Sequence, residues 1–289
     1  MKKRREDIMW LVLGIVATVA IVFIAICIAE NMMIRRGAKK TLTRMETIYL
    51  GAHEYIPADC HNFSGLDIGF YDETAAVLQK ENFVQAGDVE NLTATNAFPC
   101  MRTFIRNLIS DDGITSAGLY YINPRGLSGL FIKLLLRFKS RGYVDFETEL
   151  RCFKTVQSPD GQEQREESSV FITTSNADMA AKMKQPSQFD SCYLPSDTPV
   201  KTVLKNHLER VETIRKNLNA DSGDYLMKFK SLQDILDLQN RMELLKAEYR
   251  RQIGLINQDE IRALGDGKDK EADRFYQAII EEREKRDKS

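Results

Sequence analysis

Residues 144–152 read Val-Asp-Phe-Glu-Thr-Glu-Leu-Arg-Cys, and this stretch decides the fold that we expect. Charged and uncharged residues alternate along this stretch. The uncharged ones are Val144, Phe146, Thr148, Leu150 and Cys152. A period of two residues is typical of a β-strand with one face packed on a core and the other in water. The alternation therefore predicts a strand of an antiparallel sheet that is buried on one side.

Neighbouring segments predict the strands that pair with this one. Residues 158–161 carry turn residues, and residues 170–174 are rich in β-branched and aromatic side chains, so an antiparallel hairpin is expected. Residues 101–109 and 117–122 flank Asp111-Asp112-Gly113 and predict a second hairpin. A further strand near Phe83 follows a predicted helix over residues 72–81. We therefore expect an α+β domain over residues 55–199, an antiparallel sheet with helices around it.

Residues 200–289 predict a charged helical region, because 37 of these 90 residues are charged and the two signs nearly balance. The first helix follows Thr198-Pro199 and carries Leu204, Leu208 and Val211 on one face. The next carries apolar residues at heptad spacing, namely Ile235, Leu238, Met242, Leu245, Tyr249 and Ile256. We expect this second helix either to pack on the first as an antiparallel hairpin or to pair between two copies of the chain.

A last charged helix is predicted over about residues 270–286. Only Phe275, Ile279 and a few alanines give it a contact face. A segment with so little apolar surface is expected to fold on a partner. A protein partner for the C-terminal helices is therefore expected, and a homo-oligomer is one form it could take.

The uncharged run over residues 8–29 predicts one transmembrane helix, which follows a basic tail over residues 1–7. A helix of 22 residues is about 33 Å long, against a hydrocarbon core of about 30 Å. A cleaved signal peptide is the alternative, but its apolar stretch normally has about 7–15 residues. The length favours a retained single-pass anchor.

Two groups of basic residues are candidates for contact with the membrane surface. The first lies in a basic juxtamembrane linker over residues 30–54. The second follows one side of a predicted apolar helix over residues 127–141, whose alternative role is to cover the sheet. These candidates are Arg35, Arg36, Lys39, Lys40 and Arg44 in the linker, and Lys133, Arg137 and Arg141 in the helix. The lipid bilayer is accordingly the first expected partner.

The orientation of the anchor depends on weaker signals. Basic residues on the two sides of the span nearly balance, so the positive-inside rule does not choose between them. The cysteines after the span are scattered, unlike those of a disulfide-rich secreted module. Glycosylation-type triplets at Asn62 and Asn91 favour the opposite orientation. We expect the domain on the cytoplasmic side of the membrane.

Few residues suggest catalysis or metal binding. The best cluster, His53, Glu54, Asp59, Cys60 and His61, offers ligand types for a transition metal without the spacing of a zinc site. We interpret these residues as ordinary polar residues of the linker. The chain has no phosphate-binding glycine loop and no nucleophile elbow. We predict no catalytic, cofactor-binding or metal-binding residues and no cofactor.

One more acidic group needs an interpretation. Asp145, Glu147 and Glu149 share the charged face of the predicted strand and could bind a hard cation such as calcium. They are about 7 Å apart along the strand, so an ion would need further ligands. A solvated sheet face with basic partners on the neighbouring strands is the favoured interpretation.

These observations favour a binding or scaffolding module at the membrane surface. Residues 55–199 carry 13 basic and 19 acidic residues, and this net negative charge argues against nucleic acid as a partner, because nucleic-acid binding needs clustered positive charge. One alternative is a membrane-tethered hydrolase with its site near His53 and His61. Another is a lipid-sensing domain that uses the predicted helix over residues 127–141.

Overall fold

The computed structural model describes residues 28–49, 51–123, 125, 140–157, 163–217, 225–265 and 267–288. They form a mixed α+β fold, as predicted. Contacts divide the chain into two compact units, with the larger one over Met45–Leu255 and the smaller one formed by the residues on either side of it. The compositional boundary after residue 199 does not coincide with a unit boundary, because the two helices that follow it belong to the larger unit.

The larger unit is built on one sheet. Its strands are β1 (Tyr55–Pro57), β2 (Phe83–Asn91), β3 (Phe104–Ser110), β4 (Ser116–Ile122), β5 (Arg141–Gln157), β6 (Glu163–Ser175), β7 (Phe189–Tyr193) and β8 (Tyr225–Leu226). Strands β1 to β7 lie side by side in chain order. All these neighbours pair antiparallel except β6 and β7, which are parallel. The two predicted hairpins, β3–β4 and β5–β6, are confirmed, whereas the parallel β7 was not predicted.

Helices lie on both faces of this sheet and in the smaller unit. They are α1 over residues 28–48, α2 (Ile68–Gln79), α3 (Leu92–Ala97), α4 (Val200–Asn217), α5 (Leu232–Gln252), α6 (Gln258–Leu264) and α7 (Asp269–Asp287). Two short 3₁₀ turns stand at Cys60–Asn62 and Asp178–Lys182. The smaller unit contains most of α1 together with α6 and α7.

Helices α2 and α4 cover one face of the sheet, which carries the main hydrophobic core. Phe104 and Phe146 of the sheet pack there with Tyr71 of α2 and Leu204 of α4. The apolar side of the alternating stretch in β5 therefore faces this core, as predicted. Leu208 was expected on the buried face of α4 but is 49% exposed, because the helix turns Val203, His207 and Val211 inward instead.

Helix α5 covers the opposite face. Its Ile235, Leu238 and Met242 pack against Ile109 of β3 and Phe171 of β6. Ser231 and Asp234 form a capping box at the start of the helix, in which each side chain accepts a hydrogen bond from the backbone N–H of the other residue. The predicted antiparallel hairpin of α4 with α5 is wrong, because the two helices lie on different faces of the sheet. The heptad pattern marks the stripe that contacts the strands.

The interpretation of Asp145, Glu147 and Glu149 as a solvated face is also wrong. These residues lie under α5, and the side chain of Glu149 is only 1% exposed. Its carboxylate pairs with Arg241 of α5 and accepts a hydrogen bond from Ser169 Oγ at 2.7 Å. A polar helix can cover a charged strand face when its own side chains satisfy the buried charges in this way.

In the smaller unit, α7 packs along α1 in the same direction. The Phe275 ring lies against Gly37, and Arg274 pairs with Glu30 at 2.7 Å. Further along both helices, Arg35 pairs with Glu281 at 3.6 Å. The predicted contact face of α7 is confirmed, and it rests on a helix of the same chain.

Several predicted features lie outside the described residues. They include residues 8–27 of the predicted span, the turn at 158–161 and residues 127–139 of the predicted basic helix. Arg141 is the first residue of β5 and pairs with Ile122, so that predicted helix does not reach it. Among the helices that the structure describes, none has the length and apolar character needed to cross a membrane.

Candidate functional site

The sheet face under α5 is polar at its centre. The strand register aligns two rows of residues across it, one of Ser116, Glu147, Thr173 and Ser191, and one of Asn107, Gly118, Asp145, Ser175 and Tyr193. Side chains alternate between the faces of a strand, so both rows point away from the main core. The covering helix faces them with Gln239, Glu243 and Lys246.

A cavity with two lobes opens between these rows and α5, and we call it the polar cavity. The lobes have volumes of about 290 and 220 Å³. They share seven lining residues, which are His53, Tyr120, Asp145, Glu147, Met242, Glu243 and Lys246. Small-molecule sites typically have volumes of about 300–1,000 Å³, so the two lobes together suit a small ligand.

Two carboxyl groups of β5 dominate the electrostatics of the polar cavity. Tyr120 Oη donates a hydrogen bond to Asp145 Oδ1 at 3.3 Å, and burial raises the pKa of Asp145 above its ordinary value. Burial also raises the pKa of Glu147 to about 7, and the nearby charge of Asp145 adds to this shift. A hydrogen bond from Gln239 and the charge of Lys246 oppose it only in part. Glu147 therefore changes its charge near neutral pH.

Lys246 is the ammonium group of the polar cavity. Its Nζ donates a hydrogen bond to Glu243 Oε1 at 2.8 Å. Burial alone would lower the pKa of Lys246, but the carboxylate of Glu243, with smaller effects of Tyr49 and Glu147, raises it above its ordinary value. Lys246 thus stays charged, and three carboxyl groups, those of Asp145, Glu147 and Glu243, surround one ammonium group.

His53 lines the polar cavity with both ring nitrogens occupied. Asn91 Oδ1 accepts from the Ala94 backbone N–H, which directs Asn91 Nδ2 towards His53 Nδ1 at 2.9 Å. Because Nδ1 must then accept, we assign the ring proton to Nε2, which donates to the Ile48 carbonyl at 3.0 Å. The imidazole in this arrangement is a structural link rather than a free base.

Buried polar atoms without hydrogen-bond partners lie beside the polar cavity. Asn107 is fully buried and Ser116 is 1% exposed. Within the described part of the chain, neither side chain has a hydrogen-bond partner, and Gln239 Oε1 has none either. Ser116 lies directly opposite Glu147, and Asn107 directly opposite Gly118. Each such group costs about 1–3 kcal/mol. Of the three residues, Gln239 lines the polar cavity, whereas Asn107 and Ser116 lie next to lining residues.

The predicted histidine and cysteine cluster is not brought together with His53. Asp59, Cys60 and His61 lie in the first 3₁₀ turn with their ligand atoms within 4.8 Å of one another. Asp59 Oδ1 accepts from the His61 backbone N–H at 2.9 Å, so this carboxylate already caps the turn. Neither Cys60 nor His61 lines the polar cavity.

His207 of α4 is a packing residue on the opposite side of the sheet from the polar cavity. The side chain is fully buried under α4 between Thr148 and Thr174, at 2.9 and 3.1 Å from their hydroxyl groups. Burial, with a smaller effect of Arg210, lowers the pKa of His207 to about 3. The ring is therefore neutral and joins β5 to β6 on the core side of the sheet.

The membrane-surface candidates fall on different elements. Arg36, Lys39 and Lys40 are exposed on α1, as is Arg35 with its partner Glu281, whereas Arg44 is partly buried. Lys133 and Arg137 lie outside the described residues. Arg141 contacts Ser196 Oγ from the start of β5.

Sequence reasoning missed most of the polar cavity. The polar cavity combines Tyr120, Tyr193 and the helical pair Glu243 and Lys246, which come from three segments that nothing in the sequence spacing connects. One local signal of a polar sheet face is present in β6, where Thr173 and Ser175 are polar and lie on the same face of the strand.

Comparisons of the chain with known protein families, curated proteins and solved structures found no match.

The raised pKa of Glu147 predicts how stability depends on pH. Between its ordinary pKa of 4.5 and the folded value of about 7, the folded chain holds a proton that the unfolded chain has lost. The free energy of unfolding therefore falls as the pH rises through this window, and the loss is complete above it. Because glutamine cannot ionise, Glu147→Gln should be more stable than wild type by at most about 3 kcal/mol at about pH 8.

Urea unfolding followed by circular dichroism, at about pH 5 and pH 8, measures this difference. The advantage of Glu147→Gln should shrink strongly at the lower pH. Glu209→Gln, which removes a carboxylate that is 65% exposed on α4, is the matched control and should change little at either pH. An advantage of Glu147→Gln that is equal at both pH values would contradict the assignment.

Proposed function

We propose that this protein is a membrane-anchored binding module that holds a small polar ligand in the polar cavity. The observation that carries the proposal is that one cavity is lined by the carboxyl-bearing residues Asp145 and Glu147 together with Gln239, whose side-chain oxygen has no hydrogen-bond partner among the described residues. A bound ligand would give these lining groups further hydrogen-bond partners. The module would then be most stable with its ligand in place.

Stability alone is a poor reason for this arrangement. Buried charged groups are often no more stabilising than apolar residues of similar volume, and unpaired ones cost several kcal/mol. Yet α5 places Glu243 and Lys246 directly over Asp145 and Glu147. A binding role explains the four charged side chains, because they could recognise a polar ligand that apolar residues in their place could not.

The anchor belongs to the same proposal. Residues 8–29 hold the chain in a bilayer, with the domain on its cytoplasmic side, and exposed Arg36, Lys39 and Lys40 on α1 would contact anionic lipid headgroups. Tethering concentrates the binding site at the membrane surface. A protein partner would dock on the charged outer face of α7, which carries few apolar side chains.

A membrane-tethered hydrolase is the second candidate. Glu147, with a pKa of about 7, has the value that a general acid or base needs near neutral pH. Against it, both ring nitrogens of His53 are occupied, and Cys60 and His61 lie away from the polar cavity. Binding is therefore the better supported function. The lipid-sensing alternative depends on residues 127–139, which are not described.

Filling the polar cavity tests the binding function. A Cβ on Gly118, which lines the smaller lobe, would have Ile105 Cγ2 at 3.7 Å as its nearest contact, so a side chain fits the backbone there. Gly118→Val should fold with stability within about 1 kcal/mol of wild type, because valine suits strands, but it should occupy the ligand space. The control is Gly51→Val, at a position with open space around it.

The measurement is a thermal-shift screen of the full chain in detergent micelles against a library of small polar compounds. Compounds that stabilise wild type and Gly51→Val should fail to stabilise Gly118→Val. If such compounds stabilise Gly118→Val equally well, the polar cavity is not their binding site and the proposal is wrong.

Arginines in the anchor test membrane attachment. Val16→Arg with Val19→Arg places two charges near the middle of residues 8–29. Each costs about 2.5–3.5 kcal/mol at the centre of a span, so the variant should leave the alkali-resistant membrane fraction. Val16→Leu with Val19→Leu is the matched control and should stay there. Retention of the arginine variant in that fraction would show that these residues are not the anchor.

A further inference from the structure

We infer that the ligand of the polar cavity is a small organic cation, an alkyl amine whose ammonium groups bind between Asp145 and Glu147. This inference rests on the proposed binding function and names the class of ligand. Four features of the polar cavity support it: its charge, the unpartnered acceptor of Gln239, the spacing of its carboxyl groups and its aromatic lining.

The two carboxyl groups of β5, those of Asp145 and Glu147, lack a positively charged hydrogen-bond partner among the described residues. Lys246 is the ammonium group of the polar cavity, and its hydrogen bond of 2.8 Å to Glu243 commits it to the carboxylate on its own helix. Asp145 and Glu147 receive hydrogen bonds from Tyr120 and Gln239, which are neutral groups. A ligand that brings positive charge would pair with both carboxylates and offset their burial.

An unpartnered acceptor in the polar cavity matches a donor. Gln239 lines the smaller lobe, and its Oε1 is an acceptor without a donor among the described residues. An ammonium group carries three donors and no acceptor. A fully ionised anionic ligand would bring only acceptors, so it would leave Gln239 Oε1 unpaired and would face the carboxyl groups of Asp145 and Glu147.

The spacing of the carboxyl groups favours an organic cation over a metal ion. Calcium needs several oxygens at about 2.3–2.6 Å. Throughout the described residues, the only three or more His, Cys, Asp or Glu side chains whose ligand atoms lie within 4.8 Å of one another are Asp59, Cys60 and His61. The carboxylates of Asp145, Glu147 and Glu243 therefore do not converge on one point. A flexible amine several ångströms long can reach two of them.

Aromatic rings complete the surroundings of an ammonium group. Tyr55, Tyr120 and Tyr193 line the two lobes, and their ring faces attract cations. Lys246 already uses this chemistry, since its Nζ lies 5.4 Å from the centre of the Phe189 ring. A ligand ammonium group beside Tyr120 would find the same combination of ring face and carboxylate.

The test is isothermal titration calorimetry on the full chain in detergent micelles, near neutral pH and at low salt. The probes are 1,4-diaminobutane and spermidine, with 1,4-butanediol as a neutral analogue of the same length and calcium chloride as the metal. We expect the amines to bind and the diol to bind at least about tenfold more weakly, since it lacks the charge. Calcium should not compete with the amines.

Variants connect this binding to the named residues. Asp145→Asn and Glu147→Gln each keep the shape of the side chain and should weaken amine binding about tenfold or more. The exposed Glu209→Gln should leave it within about twofold. Circular dichroism of each variant confirms that it is folded, and Glu147→Gln is expected to fold at least as well as wild type.

The possible failures are distinguishable. Equal binding of diol and diamine, tighter binding of calcium, or amine binding unchanged in both carboxylate variants would each overturn the cationic ligand. If a neutral compound binds and Gly118→Val abolishes its binding, the binding function stands and only the ligand class is wrong. If no compound, charged or neutral, binds in a way that Gly118→Val abolishes, both proposals are wrong.

Discussion

Helix α5 lies over the charged face of β5, and the rest of the larger unit depends on this contact. The pairing of Arg241 with the buried carboxylate of Glu149 joins the helix to the strand at one end of that face. The packing of Ile235, Leu238 and Met242 on the sheet joins them along its length. Between these contacts the strands present carboxyl, hydroxyl and amide groups, so the covering encloses a polar space instead of a second apolar core.

The two kinds of contact have different consequences. Burial of the apolar stripe of α5 stabilises the fold by roughly 25 cal/mol per Å² removed from water. Enclosure of Asp145 and Glu147 does the opposite, since both carboxyl groups are held at raised pKa values. The polar cavity thus lowers the stability of the fold, and the apolar contacts elsewhere offset this loss. Binding and catalytic sites commonly have this property. Under the proposed function, a bound ligand would offset this loss of stability.

The sequence predicted the strands well and their surroundings poorly, for a physical reason. Alternation in β5 and the turn at Asp111-Asp112-Gly113 are local signals, and the two hairpins that they predict are present. Local signals do not tell which element covers a charged face. The heptad pattern of α5 predicts packing against another helix. Its position over Glu147 follows from the sheet, which the helix sequence does not specify. The polar cavity could not be predicted, because its residues come from segments far apart in the chain.

Carboxyl labelling tests the covering of β5 by α5 most directly. Trypsin cleaves after Arg141 and Arg151, so residues 142–151 form one peptide that contains Asp145, Glu147 and Glu149. Residues 206–210 form another, which contains the exposed Glu209 and serves as the internal reference. The folded full chain is labelled with a carbodiimide and the peptides are analysed by mass spectrometry. Per carboxyl group, residues 142–151 should be modified at least about tenfold more slowly than residues 206–210. After unfolding, the two peptides should be modified at equal rates. Equal rates in the folded chain would mean that this face is open to water and that there is no enclosed polar cavity.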